Sequence, residues 1–521
     1  MKQTPMRTFL IIVLSVASTV ACRLQADTYT VMLDAELSME PASGRIILFF
    51  ITEQGREWTR RSPIEGPFFS SPQPIASIAV ENFKPGDRAA IDDGVFTFPV
   101  PLNQLSGIAR VQAIFDHDQT ERSHEEGPGN VYSDVLTIEL SPEREDSFEL
   151  VLKNVVKPSS LPAESANLKW VEVRSEMLSE FYGRDVFHRA GIALPPGYDT
   201  RAEWPALYVI PGYGGRHTMA RMYERMFASP GVEDVAPLAV TIVLDPESPL
   251  GHHGFVDSPN HGPRGTALVR EFIPYLESQF KLASRLEARA LTGHSSGGWT
   301  SFWLQLQWPD VFGACWSSAP DPIDFRAFQM TDIYKDASMY EMPDGSPTPS
   351  YRVPGPDGTD RVAMTVKQEM LMEYAIHPLG GSGQQWDAWK AMFSPRDQAT
   401  GYPRRLFNPL TGEINRDIAH HWKQFDIGAI VRSDWEHYGP IVLERIRLAC
   451  GERDSYYLQR AVRLFKEDVE RLAAQHNMLR PDKGGYVFLH EHATHGSIMN
   501  YTFARWNREM RAYFQSHGLH D

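Results

Sequence analysis

From Thr28 to Val156 the chain runs through short segments in which apolar and polar residues alternate: YTVMLDAEL, GRIILFFIT, IASIAVENF, GVFTFPVPL, ARVQAIFDHD, SDVLTIEL and SFELVLKNVV. A period of two predicts strands with one buried face, and the Gly, Pro, Asp and Ser between them predict turns. No helical periodicity interrupts them, so residues 27–157 are expected to form an N-terminal all-β sandwich domain. KPSSLPAESA follows, with prolines and small polar residues and little to bury, and predicts a linker over 158–169.

Beyond Lys169 the rhythm changes. VEVRSEML and FHRAGIALPPGY read as an opening antiparallel pair, whereas WPALYVIPG and PLAVTIVLD are apolar without alternation, the mark of strands covered on both faces. LVREFIPYLESQF repeats apolar residues at helical spacing and ARALTG is again a buried strand. A helix from about Gly298 to Leu306, the strands ACWSSAP and RIRLACG, the helix LQRAVRLFKEDVERLAAQ, the strand YVFLH and a closing helix near FARWNREMRAYF complete the series. Alternating strand and helix predict a doubly wound parallel sheet in a catalytic domain spanning 170–521. One stretch, about 321–440, breaks the alternation. It is rich in Pro, Gly, Trp and Tyr, and is expected to be a long insertion that walls or lids a site. Its Trp386, Trp389, Trp422 and Trp435 are candidates either for stacking on a sugar or aryl group or for filling a core.

The candidate chemistry starts at ALTGHSSGGW, residues 290–299. A buried strand, then G-H-S-S-G-G, then a helix is the context of a nucleophile elbow, a turn so tight that the residues flanking the serine must lack bulk. Ser295 is the candidate nucleophile. A serine hydroxyl is weak near neutral pH and needs a base and a group to orient that base. On such a sheet the partners follow on later strands in the order acid, then histidine. Asp454, in the loop after RIRLACG, is the preferred acid, with Glu452 and Asp321 as rivals. His495 is the preferred base, because it sits at a loop end ahead of a helix; His490 and His492 alternate on the preceding strand. The H-x-H-x-x-H run also suggests zinc ligation, but little chain remains for further ligands. Two backbone N–H groups must meet the oxyanion. Ser296 supplies one; the glycine-rich loop after WPALYVIPGYGG supplies the other, from Tyr213 or, alternatively, Gly214. HHGFVDSPNHGPRG should reach the same rim, so His252, His253, Asp257 and Asn260 are candidate substrate contacts, against the alternative of a loop that satisfies its own backbone.

The motifs IALPPGYD, IPGYGG, REFIPYLE, GHSSGGW, CGERD and THGSIMNY together make the region from about Trp170 to Phe514 resemble the esterase D-like, or enterochelin esterase-like, family of α/β hydrolases. That resemblance implies an α/β-hydrolase fold, a Ser295–His495–Asp454 triad with Tyr213 and Ser296 as oxyanion hole, and no cofactor. Pro211 stands where that family often has histidine. The insertion is longer than a minimal member needs, and residues 28–156 lie outside the resemblance.

Composition narrows the functional classes. A formal net charge of -15 with no basic stripe argues against a nucleic-acid partner. The first residues, MKQTPMRTFLIIVLSVASTVAC, have a basic start and an apolar run too short for a membrane span, and predict a signal peptide over 1–26 and an exported, periplasmic or extracellular protein. Cleavage before Cys22, giving a lipid-anchored form attached to a membrane, and cleavage after Ala26 both remain open. Of three cysteines, Cys315 and Cys450 fall on separate strands, where two buried thiols are expected rather than a bridge. The expectation is a serine carboxylester hydrolase acting on a small-molecule or glycan-linked ester, without metal or organic cofactor. Acyl transfer shares its covalent intermediate and is not separated from hydrolysis by sequence. A glycan-binding surface protein with an inactive hydrolase domain is the alternative from another class.

Overall fold

A computed structural model describes residues 28–143, 145–231, 236–355, 358–478 and 484–519. The expected signal peptide and Cys22 lie outside the described residues.

The alternating segments form strands as their pattern requires. In Thr28–Leu33 every second side chain, Tyr29, Val31 and Leu33, is buried. Nine strands between Thr28 and Val155 join in one hydrogen-bonded sheet, mostly antiparallel, with Thr28–Leu33 and Ser147–Val155 paired parallel. Its strand Ala42–Thr52 is buried on both faces from Ile46 to Ile51. Ile46, Leu48 and Phe50 enter the sheet's own core. Ile47 and Phe49 on the other face enter a second cluster, which also contains Met364, Met372 and Ile376 from the far side of the chain.

The remainder is built on an eight-stranded sheet. Across it lie, in order, Leu168–Arg174, Phe187–Ala193, Val240–Leu244, Ala206–Ile210, Arg289–His294, Ala314–Ser318, Ile446–Gly451 and Tyr486–His490. The first two are antiparallel, and the strands from Val240–Leu244 onward run parallel to one another. Every side chain of Ala206–Ile210 and Val240–Leu244 is buried, as uninterrupted apolar runs demand. Helices pack against the sheet, among them Ser296–Gln307, Gln459–Gln475 and Ile498–Ser516. Parallel strands bring their C-terminal ends to one rim, where sites on such sheets form. Cys315 and Cys450 are free and buried.

The stretch 321–440 is more regular than its composition suggests. It holds a hairpin, Pro349–Pro354 with Asp360–Thr365, and the helices Val366–Ile376, Gln385–Phe393, Arg416–Trp422 and Ile427–Ser433; Trp435–Arg445 then leads into the next strand. Short helices with proline-rich spacers carry too few turns for periodicity to show, but their caps are local and readable. Thr365 and Gln368 make a capping box, and Asn415, Asp426 and Asp434 each cap the helix that follows. Trp386, Trp422 and Trp435 are core side chains, and only Trp389 of the four lines the cavity described next.

Candidate active site

The strand Arg289–His294 ends in a turn whose apex, Ser295, has φ 59° and ψ -126°. Side chains other than glycine rarely adopt this conformation, and it persists only where the surroundings over-determine it. Ser295 N–H donates to Ser318 O at 3.0 Å, and Trp299 N–H donates to Ser295 O at 3.0 Å. The flanking glycines are required by space. A Cβ on Gly293 would stand 2.1 Å from Gly297 O, and one on Gly297 would stand 2.0 Å from Ile210 O. Helix Ser296–Gln307 starts at this apex, so its unpaired first N–H groups and the positive end of its dipole point to the rim.

Two later loops arrive beside the serine. Asp454 is fully buried after the strand Ile446–Gly451. Its Oδ1 accepts from Tyr456 N–H at 2.9 Å, and its Oδ2 lies 2.8 Å from His495 Nδ1. A carboxylate there keeps the proton on Nδ1 and leaves Nε2 as the basic nitrogen. Burial draws the His495 pKa down, but the charge and hydrogen bond of Asp454 outweigh it and hold the imidazole above its ordinary value. His294, with its ring centroid 4.5 Å from that of His495, is pushed down to about 3 by burial and by His495, and is a neutral neighbour. Ser295 and His495 line one cavity of about 510 Å³.

The rival residues stand elsewhere. Glu452 pairs with Arg463 on the surface. Asp321 lines the cavity, but it accepts from Ser296 Oγ at 2.7 Å and Trp389 Nε1 at 2.8 Å rather than from the histidine, and burial raises its pKa. His490 stacks on Tyr501, with ring centroids 3.6 Å apart, and its Nδ1 accepts from His492 N–H, so the histidine run does not converge on one point.

The loop after Ala206–Ile210 lies directly on the serine: a Cβ on Gly212 would stand 3.2 Å from Ser295 Cβ. Gly214 N–H is engaged, donating to Glu247 Oε1 at 3.2 Å. Pro211 O accepts from His252 Nε2 at 3.0 Å, while His252 Nδ1 accepts from Gly254 N–H, so burial keeps that ring neutral with its pKa near 4.

This corrects the expectation for 252–265. None of His252, His253, Asp257 and Asn260 lines the cavity. His253 Nδ1 accepts from Phe255 N–H, Asp257 accepts from Gly265 N–H and Thr266 N–H, and Asn260 Nδ2 donates to Ala391 O and Ser394 O. Apart from the exposed Asp257 and Pro259, residues 252–261 are buried, and their polar groups satisfy backbone rather than face the cavity.

Much of the cavity wall was not anticipated. The N-terminal sheet contributes Glu65, Phe69, Arg122 and Glu125, and the insertion contributes Met372 and Trp389. One signal existed: the connection 117–130, HDQTERSHEEGPGN, is longer and more charged than a hairpin needs.

Residues 187–404 match the model of a family named Esterase, described as "Putative esterase". This region is similar to the esterase family. The esterase match includes Ser295 and the loop at Gly212, and ends before Asp454 and His495. The chain is also similar to the uncharacterised protein YbbA of Bacillus subtilis (strain 168), at 27% identity over 143 residues. That alignment covers 24% of this chain and 56% of YbbA, so it spans little more than half the relative's length. Among solved structures, an S-formylglutathione hydrolase from Agrobacterium tumefaciens is 12% identical with a TM-score of 0.36, covering 69% of this chain and 97% of that one. The fluorophosphonate-binding serine hydrolase FphF of Staphylococcus aureus is 11% identical with a TM-score of 0.34, covering 66% and 98%.

Proposed function

We propose that this protein hydrolyses carboxylic esters through a Ser295–His495–Asp454 triad and an acyl-enzyme. The observation that carries this reading is the Asp454–His495 hydrogen bond of 2.8 Å, set beside a serine at positive φ on one cavity wall. Ser295 Oγ attacks the ester carbonyl carbon while His495 Nε2 takes its proton. The oxyanion is met by the N–H groups of Ser296 and Tyr213; the engagement of Gly214 N–H by Glu247 favours Tyr213 as the second donor. Collapse of the intermediate breaks the ester C–O bond, and His495 returns the proton to the departing alcohol. Water, deprotonated by the same nitrogen, then attacks the acyl-enzyme, releasing the acid and restoring Ser295.

Phe69, Met372, Trp389 and Tyr456 give the cavity an apolar, partly aromatic wall, which supports esters with an aryl or sugar-linked group over short aliphatic ones. The basic and apolar opening residues support an exported protein.

Intact mass after treatment with a fluorophosphonate, alongside hydrolysis of a p-nitrophenyl ester, tests the mechanism. One adduct on the wild type, absent from Ser295→Ala together with turnover, is expected. A folded wild type without an adduct would overturn the reading.

A further inference from the structure

The loop that lies on Ser295 is held by a residue from outside the esterase match. Arg122 belongs to the connection 117–130 of the N-terminal sheet, and its guanidinium reaches across to the rim of the other sheet. Its Nη1 donates to Tyr213 Oη at 3.0 Å, its carbon stands 4.7 Å from the Tyr213 ring centroid, and its Nε donates to Glu247 Oε2 at 2.9 Å. The other oxygen of Glu247 accepts Gly214 N–H. One planar fork thus anchors consecutive residues of the loop, Tyr213 by its hydroxyl and Gly214 through a carboxylate. The Tyr213 hydroxyl in turn donates to Gly383 O at 3.0 Å. Gly383 has φ +66°, and a Cβ there would stand 2.6 Å from Arg122 Cγ, so the insertion leaves room for the arginine stem. The neighbouring Glu121 pairs at 2.6 Å with Arg216, which follows the same loop.

We propose that Arg122 is a positioning residue for the esterase reaction, through which the N-terminal sheet sets the Tyr213 N–H that meets the oxyanion. This rests on the triad reading above. An oxyanion donor acts only if aimed at the place where charge develops, and a displacement of about 1 Å costs on the order of 100-fold in rate. Arg122 holds the Tyr213 side chain and Glu247 rather than the reacting atoms, so its loss should appear in kcat more than in KM.

The test uses the full chain with a p-nitrophenyl ester and a fluorophosphonate. Arg122→Ala is expected to lower kcat by about 10- to 100-fold with KM changed less than about threefold, and methylguanidinium in the buffer is expected to restore part of the loss. Arg122→Lys, which carries the charge without the fork, should fall between. Tyr213→Phe removes only the hydroxyl that Arg122 holds. It should lower kcat in the same direction, and it keeps the proposal testable if Arg122→Ala does not fold. Wild-type kcat in folded Arg122→Lys and Tyr213→Phe, or a raised KM at unchanged kcat, would overturn the positioning role while leaving the triad intact. Absence of a fluorophosphonate adduct on the wild type would overturn both.

Discussion

At the scale of single residues, His495 stands between opposing influences. Burial favours its neutral form, Asp454 favours the charged one, and the carboxylate prevails. A general base must be neutral, so kcat/KM should be high at alkaline pH and fall as pH drops through a pKa that lies above the ordinary imidazole value. Asp454→Asn removes the larger raising influences, leaving the burial and the weaker pull of Asp321. Its pH profile should therefore bend at lower pH than the wild type's, and its plateau should fall by about ten-thousand-fold. A p-nitrophenyl ester assay across pH reads both. An inflection that stays in place would mean that another group controls the rate. The meeting of Asp454 with His495 is legible in the sequence, because chain order and strand ends leave few carboxylates able to reach that loop. The fate of His252 is not legible. Sequence puts it on the rim, but only packing decides whether such an imidazole faces the cavity or turns under the loop to hold Pro211 O.

Among the elements, the strand, turn and helix around Ser295 are the most local in origin and the most legible. Gly293 and Gly297 announce a turn without room for Cβ atoms, and the structure gives the reason in the carbonyls of Gly297 and Ile210. Gly297→Ala should destabilise the fold by about 3 kcal/mol, as overpacking against backbone that has nowhere to move. Urea denaturation measures it, and a loss below about 0.5 kcal/mol would show that the turn relaxes freely. The hairpin and helices of 321–440 are less legible, since each is short and owes its stability to tertiary burial rather than to propensity. Their caps, such as Thr365 with Gln368, are the readable trace.

For the whole molecule, the contact between the N-terminal sheet and the insertion matters most, and periodicity says nothing about it. Ile47 and Phe49 face Met364, Met372 and Ile376 in one apolar cluster. Beside it Arg45 Nε donates to Ile376 O at 3.0 Å and Ser77 Oγ donates to Ala375 O at 2.6 Å, so the sheet satisfies carbonyls that helix Val366–Ile376 leaves open at its end. Ile376→Asp would bury an unpaired carboxylate at this seam. It should lower stability by about 3 kcal/mol and speed protease cleavage in the exposed stretch 157–165. Thermal melting with limited proteolysis checks it; unchanged cleavage would show that the seam does not hold the two parts together.

The cavity draws on Phe69 and Arg122 near one end of the sequence, on Trp389 in the middle and on His495 near the other. On the triad reading, competence therefore belongs to the finished molecule and to no fragment of it. A half-folded chain carries every letter of the serine motif, but it lacks Ser318 O, the Ile210 carbonyl and the Gly212 loop that hold the turn in shape, and so stays silent toward esters.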